Sequence, residues 1–213
     1  ITEQSKDASD HTPVVAKLSI KGMGDEEDDG SATTTDFKWP FGESHYKKNK
    51  ADYLGAHMAK AWDGTYSGTS WGRGAGTIAR PAQGKGGGIA TDIGTVPTGM
   101  SVHAMFGGKV ISTSLCGAND GIAIESKIGG GTVKIAYMHG SNKRFRVGQT
   151  VKAGDVIMNV GELGCTVRGA HLHLGILYNE KYVCPQDIFL EAEKGKSFNF
   201  SALVKKGKRW CGR

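Results

Sequence analysis

The sequence predicts a mainly β protein, an antiparallel β-sandwich with a short N-terminal helix and irregular glycine-rich segments. From residue 89 onward, short alternating or β-branched runs are separated by turns rich in Gly, Asn and Asp, the pattern of strands in a compact sheet protein. The chain has 33 glycines against five prolines in 213 residues. This composition suits many tight turns rather than a collagen-like or low-complexity chain.

Each predicted element follows from a local pattern. The predicted strands lie in MSVHAMFGGKVIST, GIAIESK, GTVKIAYMHG, RFRVGQTVKAGDVIMNVG and AHLHLGILYN. The stretch NKADYLGAHMAKAWDG predicts the main helix, with Asn49 as its N-cap, Asp52 as the capping-box acid and Gly64 after its end. A second, short helix is predicted at 185–193.

Composition shifts divide the chain into four segments. We predict a flexible acidic arm at 1–35, a helical or irregular lead-in at 36–69, the β domain at 70–190 and a basic tail at 191–213. The arm carries three Lys and eight acidic residues, and the remainder carries 24 basic and 13 acidic residues, so their net charges are −5 and +11. A basic remainder favours polyanionic surroundings such as a bacterial envelope.

Several function classes lack their sequence signals. No apolar run approaches the ~18 residues that a membrane span requires. Nucleic-acid motifs and interleaved basic and aromatic residues are absent, so we expect no nucleic-acid partner. The sequence begins at Ile1 without a visible signal peptide, which suggests a processed or trimmed product.

The four cysteines form no C-x-x-C motif, which disfavours a zinc knuckle or a thioredoxin-like site. An even number at long spacing permits two disulfides, and four free buried thiols would give the same pattern. Four cysteines allow three pairings. One arrangement joins Cys116 to Cys165, beside the predicted H-x-H strand, and Cys184 to Cys211 in the tail.

The stretch GAHLHLGI places His171 and His173 two residues apart. Because side chains alternate faces along a strand, both imidazoles should point into one space. That arrangement suits a metal ligand beside a proton-transfer group. Two ordinary half-buried histidines are the alternative reading.

Four blocks, in order, resemble the LytM/lysostaphin-type zinc metallopeptidases, which cut peptidoglycan cross-bridges. RFRVGQTVKAGDVIMNVGELGCTVRGAHLHLGI is similar to the second half of that family, which ends in its H-L-H motif. Upstream, IAYMHG is similar to its YAH strand, VPTGMSVHAMFGGKVI to its APxGTPVY block, and ATDIGT to its GxDIA segment. The resemblance spans about residues 70–180 and implies a LytM-like β-sandwich.

The resemblance assigns site roles. Asp92 and His173 correspond to zinc ligands, and His139 and His171 to the residues that hold and deprotonate the attacking water. The remaining zinc histidine falls on Gly88, which has no donor side chain. A degenerate site, a histidine supplied by His45, His57 or His103, or a constructed substitution would each explain this departure. His103 also has a simpler reading as a packing residue.

Three functions remain open at this point. The first is an extracytoplasmic zinc endopeptidase that cuts peptide stems or cross-bridges of peptidoglycan, with an incomplete metal site. The second is a non-catalytic module that binds peptidoglycan or protein partners in an envelope machine or phage tail tip, and is secreted, periplasmic or virion-associated. A sugar-transport phosphocarrier is the third; Asp92 and the cysteines argue against it.

Overall fold

The computed structural model describes residues 36–54, 90–115, 118–164, 167, 169–195 and 197–206. The described helices are α1 (Glu43–Lys48), α2 (Lys50–Leu54), α3 (Pro185–Glu193) and α4 (Phe200–Lys206). The described strands are β1 (Ala90–Ile93), β2 (Ser101–His103), β3 (Gly108–Ser112), β4 (Gly121–Ile128), β5 (Gly131–Met138), β6 (Gly140–Ser141), β7 (Thr150–Val151), β8 (Val156–Val160), β9 (Leu172–Tyr178) and β10 (Lys181–Val183). The mainly β prediction is confirmed.

Two antiparallel sheets make up the fold. The larger has the order β1-β9-β5-β4-β3-β7, with β10 also paired to β9. The smaller has the order β2-β8-β6. Within the larger sheet, β9 pairs with β5 along one edge, and with β1 and then β10 along the other. The strand that carries the H-x-H motif is therefore central, with hydrogen-bonded neighbours on both sides.

The alternation along β9 determines which residues face the main hydrophobic cluster. Leu172, Leu174 and Ile176 belong to the main hydrophobic cluster, together with Met158 of the smaller sheet. Because these residues alternate with His173 along β9, the His173 side chain points to the other face of the larger sheet.

The segment 36–54 packs beside β1. The Thr91 hydroxyl donates to the backbone oxygens of Asp52 and Tyr53, at 3.2 and 3.3 Å. The carboxylate of Asp52 accepts the backbone N–H of Thr95 at 2.9 Å. These hydrogen bonds hold α2 against β1, the strand that carries Asp92, and against the segment that follows it.

A helix begins where it was predicted, since α2 starts at Lys50 directly after Asn49, but the predicted capping contacts do not form. Asn49 is the C-cap of α1, and its backbone N–H and side-chain amide both donate to the carbonyl of His45, at 3.0 and 3.1 Å. Asp52 does not act as a capping-box acid for Asn49, because its carboxylate binds Thr95. The continuation toward Gly64 lies outside the described residues.

The C-terminal elements also join the core. The short helix predicted at 185–193 is confirmed as α3, and its Phe189 is fully buried. Phe198, Phe200 and Leu203 lie in the same hydrophobic cluster as the strands. The four-segment division stays a prediction, and its acidic arm at 1–35 lies outside the described residues. In the part of the chain that the structure describes, no helix combines the length and apolarity needed to cross a bilayer.

Candidate active site

Strand pairing brings Asp92 and His173 together. In the antiparallel pairing of β1 with β9, Asp92 lies directly opposite His173. On the other side of β9, His173 lies opposite Met138, the residue before His139. Asp92 precedes His173 by 81 positions in the sequence, and His139 precedes it by 34. Strand pairing nevertheless makes both of them neighbours of His173.

The contacts within this group are short. His173 Nδ1 lies 2.8 Å from Asp92 Oδ1, and His171 Nε2 lies 3.6 Å from Asp92 Oδ2. The ring centroid of His139 is 4.6 Å from that of His171 and 5.7 Å from that of His173. We call these four residues the His–Asp cluster. The structure thus brings together every site residue that the sequence predicted.

His171 lies where the two sheets meet. Its backbone forms an isolated antiparallel bridge with Gly161, directly after β8 of the smaller sheet. Its Nδ1 lies 2.9 Å from the carbonyl oxygen of Gly169. Because a carbonyl only accepts, Nδ1 carries a proton and donates it to Gly169. Nε2 is directed toward the carboxylate of Asp92.

His139 is held from two directions. Its backbone is left-handed, with φ of 66°, which is uncommon for a residue with a Cβ. Its Nδ1 donates to the carbonyl of Leu163 at 2.9 Å, so Nε2 of the neutral ring carries the lone pair. The following residue, Gly140, has no room for a side chain, since a Cβ would lie 2.1 Å from Met158 Sδ.

Burial determines the charge state of His139. His139 is only 5% exposed, and this desolvation lowers the pKa of its imidazole. The neighbouring His173 and His171 act in the same direction, while the bond to Leu163 opposes it. His139 is therefore a neutral imidazole near pH 7, with its Nε2 able to accept a hydrogen bond or a proton.

The donor groups of the cluster fit a zinc site only in part. Carboxylate and imidazole groups are suitable ligands, and Asp92 and His173 lie close enough to share one ion. Among the described residues, however, no three His, Cys, Asp or Glu side chains are arranged to hold a metal. Gly88, the position of the expected third ligand, lies outside them. The described residues alone thus do not fit a three-ligand zinc centre.

Two of the alternative donors are engaged elsewhere. His45 Nδ1 bonds to the Tyr53 hydroxyl at 2.9 Å, and its Nε2 to the carbonyl of Thr95 at 3.2 Å. His103 Nδ1 bonds to the carbonyl of Pro40 at 3.1 Å, which agrees with its reading as a packing residue. His57 lies outside the described residues.

Cys184 is 5% exposed and disulfide-bonded. The other cysteines, Cys116, Cys165 and Cys211, lie outside the described residues, so the pairing stays a prediction.

The residues that support the cluster were not predicted from the sequence. Asp120 is fully buried, and its Oδ1 accepts the backbone N–H of Leu115 at 2.7 Å. Its backbone oxygen accepts the N–H of Gly140, directly after His139. The only signal in the sequence is the turn-forming Asn-Asp-Gly at 119–121, which predicts a turn but not a buried carboxylate.

Comparison with known proteins places this geometry in a family. Residues 87–185 match the family model described as Peptidase family M23. The matched segment contains the whole His–Asp cluster and position 88. No curated protein sequence matches the chain.

Solved structures are also similar to the chain. A zinc-containing peptidase from Vibrio cholerae is 29% identical over 46% of this chain and 29% of its own, with a TM-score of 0.41. The catalytic domain of lysostaphin from Staphylococcus simulans is 19% identical over 70% of this chain and 99% of its own, with a TM-score of 0.39. The chain thus spans less than a third of the Vibrio protein. By the family match, the segment 87–185 is similar to peptidase family M23.

Proposed function

We propose that the chain is an extracytoplasmic, peptidoglycan-directed protein that binds wall peptides at the His–Asp cluster and retains zinc too weakly for efficient cleavage. One observation carries this conclusion. The described residues bring Asp92, His139, His171 and His173 together, yet no three of their metal-binding groups form a ligand set. By the resemblance, the third ligand of the family falls on Gly88, which offers no donor side chain, and each lost ligand lowers metal affinity strongly.

The cluster offers a peptide both kinds of hydrogen-bonding partner. The lone pairs at Nε2 of His139 and His171 accept from peptide N–H groups. Asp92 has a side chain 24% exposed, so its carboxylate can be reached by an ammonium or amide group of a ligand. His173, 5% exposed, donates to Asp92 and orients it. These roles require no bond cleavage.

A zinc endopeptidase is the second candidate, and the retained cluster favours it. In that case Asp92 and His173 would hold the ion, together with a donor from outside the described residues such as His57. His139 and His171 would hold and deprotonate water through their Nε2 atoms.

A module without catalytic activity could also serve as a structural part of an envelope machine or a phage tail tip. Its partners would then be proteins.

Zinc content and muropeptide assays on one preparation separate these functions. The purified chain is loaded with zinc, dialysed and measured for bound metal, then incubated with insoluble peptidoglycan and with soluble muropeptides. We expect retention on peptidoglycan, zinc well below one ion per chain and unchanged muropeptides. His171→Ala should weaken retention, and His103→Ala, outside the cluster, should not.

The opposite results are equally clear. Stoichiometric zinc with cleaved muropeptides, both lost in His173→Ala, would establish the endopeptidase. A chain that neither binds nor cleaves peptidoglycan would rule out both candidates.

A further inference from the structure

A basic loop follows the His–Asp cluster directly. The chain leaves His139 through β6 and forms a loop at 142–149 before β7, and we call residues 142–149 the basic loop. Its sequence is NKRFRVGQ, with three cations and no acidic residue. Arg144 and Arg146 are exposed, as is Val147, whose residue is 60% accessible.

The loop is held in place by backbone bonds at several points. The N–H of Arg144 donates to the carbonyl of Ile157 in β8 at 2.9 Å. At the far end, the N–H of Gly148 donates to the carbonyl of Val110 in β3, and the N–H of Val110 to the carbonyl of Gln149, both at 2.8 Å. Because the backbone is fixed on both sides of the loop, a ligand that binds its side chains does not have to order the loop, which lowers the entropic cost of binding.

Two further cations extend the surface. Lys109 of β3 pairs in register with Thr150 of β7, and Lys152 follows β7. Both lysines are exposed, and Lys152 lies two residues after Thr150, the register partner of Lys109. The bond of Gly148 to Val110 brings the end of the loop beside Lys109, and we call Lys109, Arg144, Arg146 and Lys152 the basic surface.

Acidic groups near this surface are few. Glu125 lies opposite Lys109 in β4, but its carboxylate is also 3.9 Å from Lys134. Asp155 accepts the backbone N–H of Lys152 at 2.8 Å. Among the described residues, none of the four cations of the basic surface forms an ion pair. Their charge is available to a partner.

We propose that the basic surface binds a linear phosphodiester polymer of the cell wall, beside the site that holds the wall peptide. The planar guanidinium group of arginine donates two parallel hydrogen bonds to two oxygens of one phosphate. Arg144 and Arg146 are two residues apart, or about 7 Å in extended chain. A polymer with one phosphate per short repeat offers charges at that spacing, whereas a peptide stem offers isolated carboxylates. The inference rests on the proposed wall-directed function and names a second wall component as partner.

The test compares walls with and without the polymer. Binding is measured to intact walls and to walls stripped of phosphodiester polymer with hydrofluoric acid, over a series of salt concentrations. Sodium polyphosphate serves as a soluble probe. The variant is Arg144→Gln with Arg146→Gln. The matched control is Lys48→Gln with Lys181→Gln, which removes two exposed cations in α1 and β10, outside the basic loop and the β3–β7 pair.

We expect intact walls to bind about tenfold more tightly than stripped walls at low salt. The arginine variant should lose this difference, and its slope of log affinity against log salt for polyphosphate should fall by about 1.4, since each contact to a single-stranded polyanion contributes about 0.7. The control should behave as the unchanged chain does.

Equal binding to intact and stripped walls, or an equal loss in variant and control, would overturn the proposal. The two proposals fail separately. If His171→Ala leaves binding to stripped walls unchanged while the arginine variant abolishes the polymer effect, the peptide site is refuted and the basic surface stands.

Discussion

Two histidine environments in this molecule differ in how the imidazole nitrogens are used. In the aromatic layer, formed by Trp39, Tyr46, Tyr53 and Phe189, His45 has a protein partner within 3.2 Å at both ring nitrogens. In the His–Asp cluster, His139 and His171 bond to carbonyls through Nδ1 and direct Nε2 toward the shared space. The first arrangement stabilises the fold, and the second leaves groups for a ligand.

The aromatic layer also supports the cluster. Phe189 lies 5.7 Å from Trp39 and 5.0 Å from Tyr53 by ring centroid. Tyr53 in turn belongs to α2, which bonds to Thr91, the residue before Asp92. Substitutions in the aromatic layer are expected to act first on stability, and substitutions in the cluster first on binding.

The largest effect on stability is expected from Phe189→Ala. The ring is fully buried among aromatic neighbours, so its removal leaves a cavity and should lower the free energy of unfolding by about 3–5 kcal/mol. Urea denaturation followed by tryptophan fluorescence measures this. Phe189→Leu, which keeps most of the volume, should cost clearly less. A loss below about 1 kcal/mol for the alanine variant would show that the layer does not stabilise the fold.

Tyr137→Phe should come next, at about 1–3 kcal/mol. The Tyr137 hydroxyl accepts the buried backbone N–H of Met105 at 2.8 Å, and phenylalanine leaves that donor unpaired. Differential scanning calorimetry measures the change. An unchanged melting temperature would mean that another acceptor replaces the hydroxyl.

Single histidine substitutions compare the two regions directly. His45→Ala removes two hydrogen bonds and should cost about 1 kcal/mol. His171→Ala should change stability by at most about 0.5 kcal/mol, but weaken peptidoglycan binding. Chemical denaturation and wall sedimentation on both variants provide the comparison. The reverse order of stabilities would contradict the assignment of the two environments.

The smallest effect concerns alkaline pH. Burial, followed by the nearby Glu193, raises the pKa of Tyr46 to about 12 from an ordinary value of 10.0. Above pH 10 the unfolded tyrosine ionises while the folded one stays neutral, so stability from this group is present below pH 10 and falls above it. Melting temperatures from pH 8 to 11 should fall less steeply in Tyr46→Phe. Identical slopes would contradict this linkage.

The fold and the convergence of the cluster could be predicted because local patterns specify them. Alternation along AHLHLGILY predicts that His171 and His173 share a face, and both approach Asp92. A helix begins after Asn49 as predicted, but the predicted capping contacts were wrong because the side chain of Asn49 bonds to His45 and that of Asp52 to Thr95. Asp120 was missed because burial of a carboxylate depends on which loops pack over it.

Zinc affinity of the unchanged chain and of Gly88→His, measured side by side by competition with a chromogenic chelator, tests the central claim most directly. The account predicts that the unchanged chain loses zinc to the chelator and that Gly88→His retains close to one ion per chain, with His173→Ala abolishing the gain. Tight, stoichiometric zinc in the unchanged chain would contradict it.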